Sequence, residues 1–225
     1  MWDKVIFSNW EIIYRTSSSY VNIENHEHQD YLHFIVNYLG YPVLVDSGLA
    51  SYMKDHMHAN ARNAEYHNSI LIDGHPYSPT KEKIFPDEYY VTHNSSAKTK
   101  TKTGYKVILK TSGFNRIDSA INFERHLIID DKSLIIIDNS KSVLDHKIEN
   151  FFHFDNNLRF LNNPRYFKFN VNDSMIEFVN YGDELLNSSL NIYSKKYGHT
   201  QRKKVLNSIN IINSSNPIIH KLNIT

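Results

Sequence analysis

The chain has no cysteine, which excludes disulfides, thiolate metal sites and cysteine nucleophiles at once. It also lacks a charge imbalance. With 25 Lys and Arg against 24 Asp and Glu, the net charge of +1 leaves no electrostatic footprint for nucleic acid. The nearest basic run, Lys98-Thr99-Lys100-Thr101-Lys102, alternates with threonine and suits an exposed strand or hairpin better than a phosphate cradle. No apolar stretch approaches the roughly 18–20 residues of a membrane span. The opening Met1-Trp2-Asp3-Lys4 does not follow the basic-then-apolar pattern of a signal peptide. Alanine and leucine are sparse, and no segment reads as a long amphipathic helix.

What is abundant is Ile, Val, Tyr, Phe and Thr, the residues that fit a pleated, half-buried surface. Short apolar or alternating runs recur at 10–15, 20–23, 31–38, 42–45, 69–72, 88–92, 105–111, 120–129 and 134–138. They continue at 148–154, 166–171, 175–179, 190–193, 204–212 and 218–222. Turn signals separate them, such as Asp73-Gly74, Asn162-Asn163-Pro164 and Tyr181-Gly182-Asp183. About fifteen strands without a helix predict an all-β protein, a large antiparallel two-sheet β-sandwich. No repeat or linker divides residues 1–225, so one domain is expected.

Eight of the thirteen histidines fall between His26 and His93. The segment His26-Glu27-His28-Gln29-Asp30 runs into the apolar Tyr31-Leu32-His33-Phe34-Ile35-Val36. Extended backbone would set His26, His28 and Asp30 on one face with Leu32, Phe34 and Val36. Two further strand ends carry chemistry. Val43-Leu44-Val45-Asp46-Ser47-Gly48 closes on a carboxylate and a glycine turn, and Tyr66-His67-Asn68 precedes the apolar Ser69-Ile70-Leu71-Ile72. His28, Asp46 and His67 thus stand at the ends of sequential strands, an N/O set suited to zinc with a position left for water. Taken singly, Asp46 also suits a turn cap and His67 a hydrogen-bonded strand-end histidine. Between Gly48 and Tyr66 lies a polar stretch without strand alternation. Its Tyr52, His56, His58 and Arg62 are types that line polar binding sites.

The order of these elements resembles the heparinase II/III-like polysaccharide lyases. The matching motifs are His-x-His-x-Asp-x-Leu-x-Phe at residues 26–34, Leu-Val-Asp-x-Gly at 44–48 followed by Tyr52, then Arg62, then the His67-to-Gly74 segment. Weaker matches continue through Phe123-Glu124-Arg125-His126, Leu134 to Asp138, His146, Phe152-His153-Phe154 and Ser194-x-x-Tyr197-Gly198. The resemblance implies a supersandwich-type domain from an enzyme class that cleaves uronic-acid-containing polysaccharides, glycosaminoglycans among them, by β-elimination. It implies that His26 is the catalytic histidine of this domain and that His28, Asp46 and His67 are the metal ligands, with zinc as the best-matched ion. Arg62 is placed to pair with a uronate carboxylate, and Tyr52 to contact substrate. Asp30, two residues along the assumed strand face from His28, is expected to fix an imidazole tautomer.

Two positions depart from the family pattern. Glu27 replaces a small residue between the histidines, and Ser47 replaces the proline after the strand-end aspartate. The family's full-length enzymes also carry an α/α toroid that supplies a tyrosine and the group neutralising the uronate. This chain starts where the sandwich starts, so a toroid in cis or as a partner chain is expected to complete the site, with the isolated chain weak or inactive. Family members act in the periplasm or cell envelope. Without a signal peptide in this sequence, the cytoplasm stays open. A non-catalytic metal- or glycan-binding module of the same descent is one alternative. A cupin-like metal barrel is another, weakened because Leu32-His33-Phe34-Ile35 occupies the stretch where that superfamily places a glutamate.

Overall fold

A computed structural model of the chain describes residues 1–16, 28–48, 61–78, 92–162, 166–182, 186–196 and 199–225. Among these are sixteen strands and no α-helix, joined in antiparallel ladders. The first layer is one eight-stranded sheet, ordered β11(Phe160–Asn162), β12(Tyr166–Val171), β13(Ser174–Asn180), β16(Ile218–Ile224), β9(Ser133–Asn139), β8(Phe123–Asp130), β7(Gly104–Thr111) and β6(Asn94–Lys100). The second layer is two four-stranded sheets. One runs β1(Trp2–Phe7), β2(Trp10–Arg15), β3(Phe34–Tyr38), β4(Tyr41–Leu44), and the other β14(Leu186–Lys196), β15(His199–Ile212), β10(His146–His153), β5(Ile70–Ile72).

One edge of β10 binds β15 along its length. The other edge is shared. β5 pairs with residues 148–150, and β4 takes over beyond the strand's end through a Leu44–Phe154 bridge and the Val45 N–H bond to the His153 carbonyl. That shared edge brings the ends of β4 and β5, and so Asp46 and His67, to one place.

The core lies between the layers and follows strict alternation. In β8, Phe123, Leu127 and Ile129 point inward with Arg125, while Glu124, His126 and Ile128 are only partly covered. Phe169 and Phe178 of the same sheet meet Phe152 and Phe154 from the other layer, with rings 4.9–5.5 Å apart in tilted or edge-on pairs. The Asp73-Gly74 signal is realised as a two-residue turn closed by reciprocal Ile72–His75 hydrogen bonds.

Most strands match expectation, and β2 and β12 coincide with it residue for residue. The run at 31–38 is corrected. β3 begins only at Phe34, because Leu32 adopts a left-handed backbone and the His33 N–H bonds back to the Asp30 and Tyr31 carbonyls. The turn falls at Tyr31-Leu32, His28 to Asp30 lie outside any strand, and the one-face alternation drawn through them does not hold. β1, β6 and β11 complete the set, β6 taking in the Lys/Thr run up to Lys100. The expected strand at 20–23 and all but Thr92 of that at 88–92 lie outside the described residues.

Candidate metal centre

Asp46 is placed by the turn after β4. Its Oδ1 accepts the Gly48 N–H at 2.7 Å, which leaves Oδ2 for the histidines. Gly48 has φ +68° and packs against the backbone of β14, where a side-chain carbon would collide with the Ser194 carbonyl oxygen. The Ser194 N–H in turn donates to the Ser47 carbonyl at 2.8 Å. The two separated motifs, 44–48 and the segment beginning at Ser194, are thus in direct contact. Ser47, where the family has proline, puts its hydroxyl to use by donating to the Tyr66 carbonyl just before His67.

His67 follows the short 3-10 turn Ala64–Tyr66. Beside it, Asn68 is a fully buried hub. Its side-chain N–H groups donate to the carbonyls of Phe34 and Val45 at 2.7 and 3.2 Å, and its Oδ1 accepts the His153 N–H at 2.7 Å. Its own N–H donates to His33 Nδ1 at 2.8 Å. Its carbonyl accepts from Arg125, whose five N–H donors are all used: two on Asp138 at 2.7 and 2.8 Å, one each on Leu32, Asn68 and Asn150. Arg125 and Asp138 face each other across β8 and β9 and are wholly buried.

His28 is delivered by its neighbour. Gln29 receives the Ala64 N–H on its side chain, donates its own N–H to the Arg62 carbonyl, and donates its amide to the Ser78 carbonyl. This docks residues 28–30 onto the segment that leads to His67.

The resulting cluster is compact. His67 Nδ1 is 2.6 Å from Asp46 Oδ2, and His33 Nε2 is 3.2 Å from the same oxygen. The His67 ring centroid lies 5.3 Å from that of His28 and 5.4 Å from that of His33. Ligand atoms of His33, Asp46 and His67 fall within 4.8 Å of one another. His67 Nε2 is buried with no hydrogen-bond partner among the described residues, an orphaned lone pair of the kind a metal ion satisfies. A carboxylate and imidazoles around that atom make a donor set suited to a borderline-soft divalent ion.

Electrostatics keep the set ready to ligate. Burial pushes the Asp46 carboxyl up, but the His67 charge and hydrogen bond, with His33 and the Gly48 N–H, hold it well below the usual carboxylate range. Burial, then the neighbouring His67, lowers His28, and Arg62 acts on it in the same sense. Burial lowers His33 to about 3 and His153 well below the ordinary histidine range. Lys203 on β15, 1% exposed, is lowered to about 7 by burial, and its Nζ finds no acceptor among the described residues.

Of the residues singled out from sequence, Asp46 and His67 meet directly, His28 adds a ring 5.3 Å from that of His67 but lies outside the close group of ligand atoms, and Arg62 acts on His28 electrostatically. Asp30 receives the Arg15 guanidinium and acts on His28 through space, raising it. His26 and Tyr52 lie outside the described residues. His33, Asn68, Arg125, His153 and Lys203 were given no site role from sequence, although Asn68, Arg125 and His153 stand within the matching motifs.

Residues 4–218 match the family described as Heparinase II/III-like, C-terminal. The chain belongs to this family. No curated protein matches it in sequence. Among solved structures it is similar to a mutant of the heparan sulfate lyase HepC from Pedobacter heparinus, with TM-score 0.73 and 12% identity over 96% of this chain and 33% of that one. It is also similar to the heparinase III BT4657 gene product with methylated lysines (TM-score 0.72, 12% identity, 96% and 32%) and to a further heparinase III (TM-score 0.70, 12% identity, 96% and 33%). The heparinase-like chain spans about a third of the length of these structures, and they share its sandwich fold. That family membership replaces the cupin-like alternative.

Proposed function

We infer that this chain is the sandwich half of a polysaccharide lyase, supplying a divalent-metal site and one histidine to an active centre completed by an α/α toroid. The convergence of His28, Asp46 and His67 carries the reading, because it forms a donor set with an orphaned nitrogen at the positions the family pattern reserves for ligands. The neighbours named as heparinases and a heparan sulfate lyase support an acidic, uronate-containing polymer as substrate. Zinc suits the N/O mixture. When bound, such an ion supplies a fixed positive centre that locks its ligands in place.

In β-elimination a base takes the proton at C5, leaving its electron pair as a carbanion beside the carboxylate. That pair forms the C4–C5 double bond as the C4–O bond breaks, and the leaving oxygen takes a proton. The barrier lies in the carbanion next to a carboxylate, so the site must neutralise that group and hold base and acid in place. By motif position His26 is one proton-transfer or carboxylate-binding group. Arg62 pairs with a uronate, Tyr52 contacts substrate, and the toroid supplies the rest. A periplasmic or cell-envelope location fits this chemistry.

The 225 residues alone should show little or no turnover. Joined to a toroid, in cis or in trans, they should release 4,5-unsaturated uronates absorbing in the near ultraviolet, and His26→Ala should abolish the signal without unfolding. Elemental analysis should find about one divalent ion per chain, lost in His28→Ala and His67→Ala. Robust activity of the isolated chain would overturn the division of labour. Glycan binding without turnover, toroid present, would make this a non-catalytic module.

A further inference from the structure

Proximity alone nominates His33 as the third metal donor, since its ligand atom falls within 4.8 Å of those of Asp46 and His67. Its hydrogen bonding argues otherwise. The Asn68 N–H donates to His33 Nδ1 at 2.8 Å, so that lone pair is committed. A neutral imidazole has one lone pair and one N–H. The proton must then sit on Nε2, the nitrogen 3.2 Å from Asp46 Oδ2. Ligation through Nε2 would require either an imidazolate or loss of the Asn68 bond, leaving a buried N–H unmet at a cost of about 1–3 kcal/mol.

The Asn68 amide cannot easily turn away. Its side chain is tied to β3, β4 and β10, and its carbonyl to Arg125. The His33 ring is itself wholly buried, with the Trp2 ring edge-on at 5.7 Å. The Nε2 atoms of His33 and His67 are both buried without a hydrogen-bond partner among the described residues, but they differ in kind. His67 Nδ1 donates to Asp46 Oδ2, which leaves a lone pair on its Nε2, whereas the His33 Nε2 carries the proton. The half-buried ring of His28 is as near to His67 as that of His33.

We propose that His33 is a positioning residue and not a ligand: the core locks it as the Nε2–H form, whose polar N–H end lies beside Asp46 Oδ2 and steadies that carboxylate by charge for an ion bound by His28, Asp46 and His67. This rests on the metal site proposed above and adds a residue that does not touch the ion.

Two measurements on the 225-residue chain test it. Long-range proton–nitrogen correlation spectra of the zinc-free protein should show His33 as the Nε2–H tautomer. On zinc addition that form should persist while the nitrogens of His28 and His67 shift. An Nδ1–H tautomer, or loss of the ε proton with zinc, overturns the proposal. X-ray absorption of the zinc-loaded protein should count two imidazoles in the wild type and two in His33→Gln, and a drop by one in the variant overturns it. His33→Phe should weaken zinc binding about 10- to 100-fold, with recovery in His33→Gln, whose amide still offers a donor. Unchanged affinity in His33→Phe also overturns it. A wild type that takes up no zinc would sink the metal site, while the tautomer of the zinc-free chain would still decide the state of His33.

Discussion

The backbone of Gly48 lies against the carbonyl of Ser194, so closely that any side chain at position 48 would overlap that oxygen. The contact joins the turn that presents Asp46 to a strand 146 positions further along the chain, 194 minus 48. It also requires the left-handed φ of +68°. Gly48→Ala is therefore expected to cost about 2–4 kcal/mol through strain and displacement. Equilibrium denaturation should show the loss, and zinc uptake should fall with it. A variant of wild-type stability and metal content would remove Gly48 from the site's framework.

The Arg125–Asp138 pair predicts a non-additive pattern. Arg125→Met leaves Asp138 charged and fully buried, and should destabilise by about 3–5 kcal/mol. Asp138→Leu strands the guanidinium in the same way. The double variant should cost clearly less than the two single losses added together, as a double-mutant cycle would show. It should not reach wild type, because Asn68, Leu32 and Asn150 also lose their donor. Simple additivity would mean that the pair is not coupled.

Acid sensitivity should come from buried neutral histidines. Burial lowers His220 from 6.5 to about 3, while its Nε2 shares a 2.8 Å hydrogen bond with the Ser208 hydroxyl and its ring stacks on Phe178. As pH falls from 6.5 toward 3, the unfolded chain takes up a proton that the folded chain refuses. Stability is thus lost over that window at about 1.4 kcal/mol per pH unit for each such histidine. His220→Phe keeps the stacked shape and removes one titration. Urea denaturation between pH 7 and 4 should show a shallower fall by that amount, and parallel curves would refute it.

Lys203 carries the same dependence in a higher pH window. Its folded pKa is lowered from 10.5 to about 7 by burial. Between these values the unfolded chain holds the extra proton, so stability climbs as pH rises, and below 7 the full penalty of the buried charge applies. Lys203→Met should be stabilising at pH 7. That gain should shrink as pH rises through 10.5, above which the lysine becomes neutral in both states. Denaturation at pH 7 and pH 10 measures the difference, and an equal effect at both would count against the buried charge.

The β class, the turns and most strands were legible in the sequence because side-chain alternation and turn chemistry are local properties. Trp10–Arg15 and Tyr166–Val171 carry their periodicity in a few residues. His28, Asp46 and His67 could be singled out for a related reason: each sits beside an apolar run, where a ligand-type residue stands out. The tertiary structure decided what depends on distant partners. It placed the Leu32 turn that breaks the expected strand, the shared edge of β10 that sets β4 beside β5, and the Asn68–Arg125 hub under the site. His33 shows the division most sharply. As a letter in an apolar strand it has two equivalent nitrogens, and only the buried amide of Asn68, 35 residues away in sequence, settles which one holds the proton.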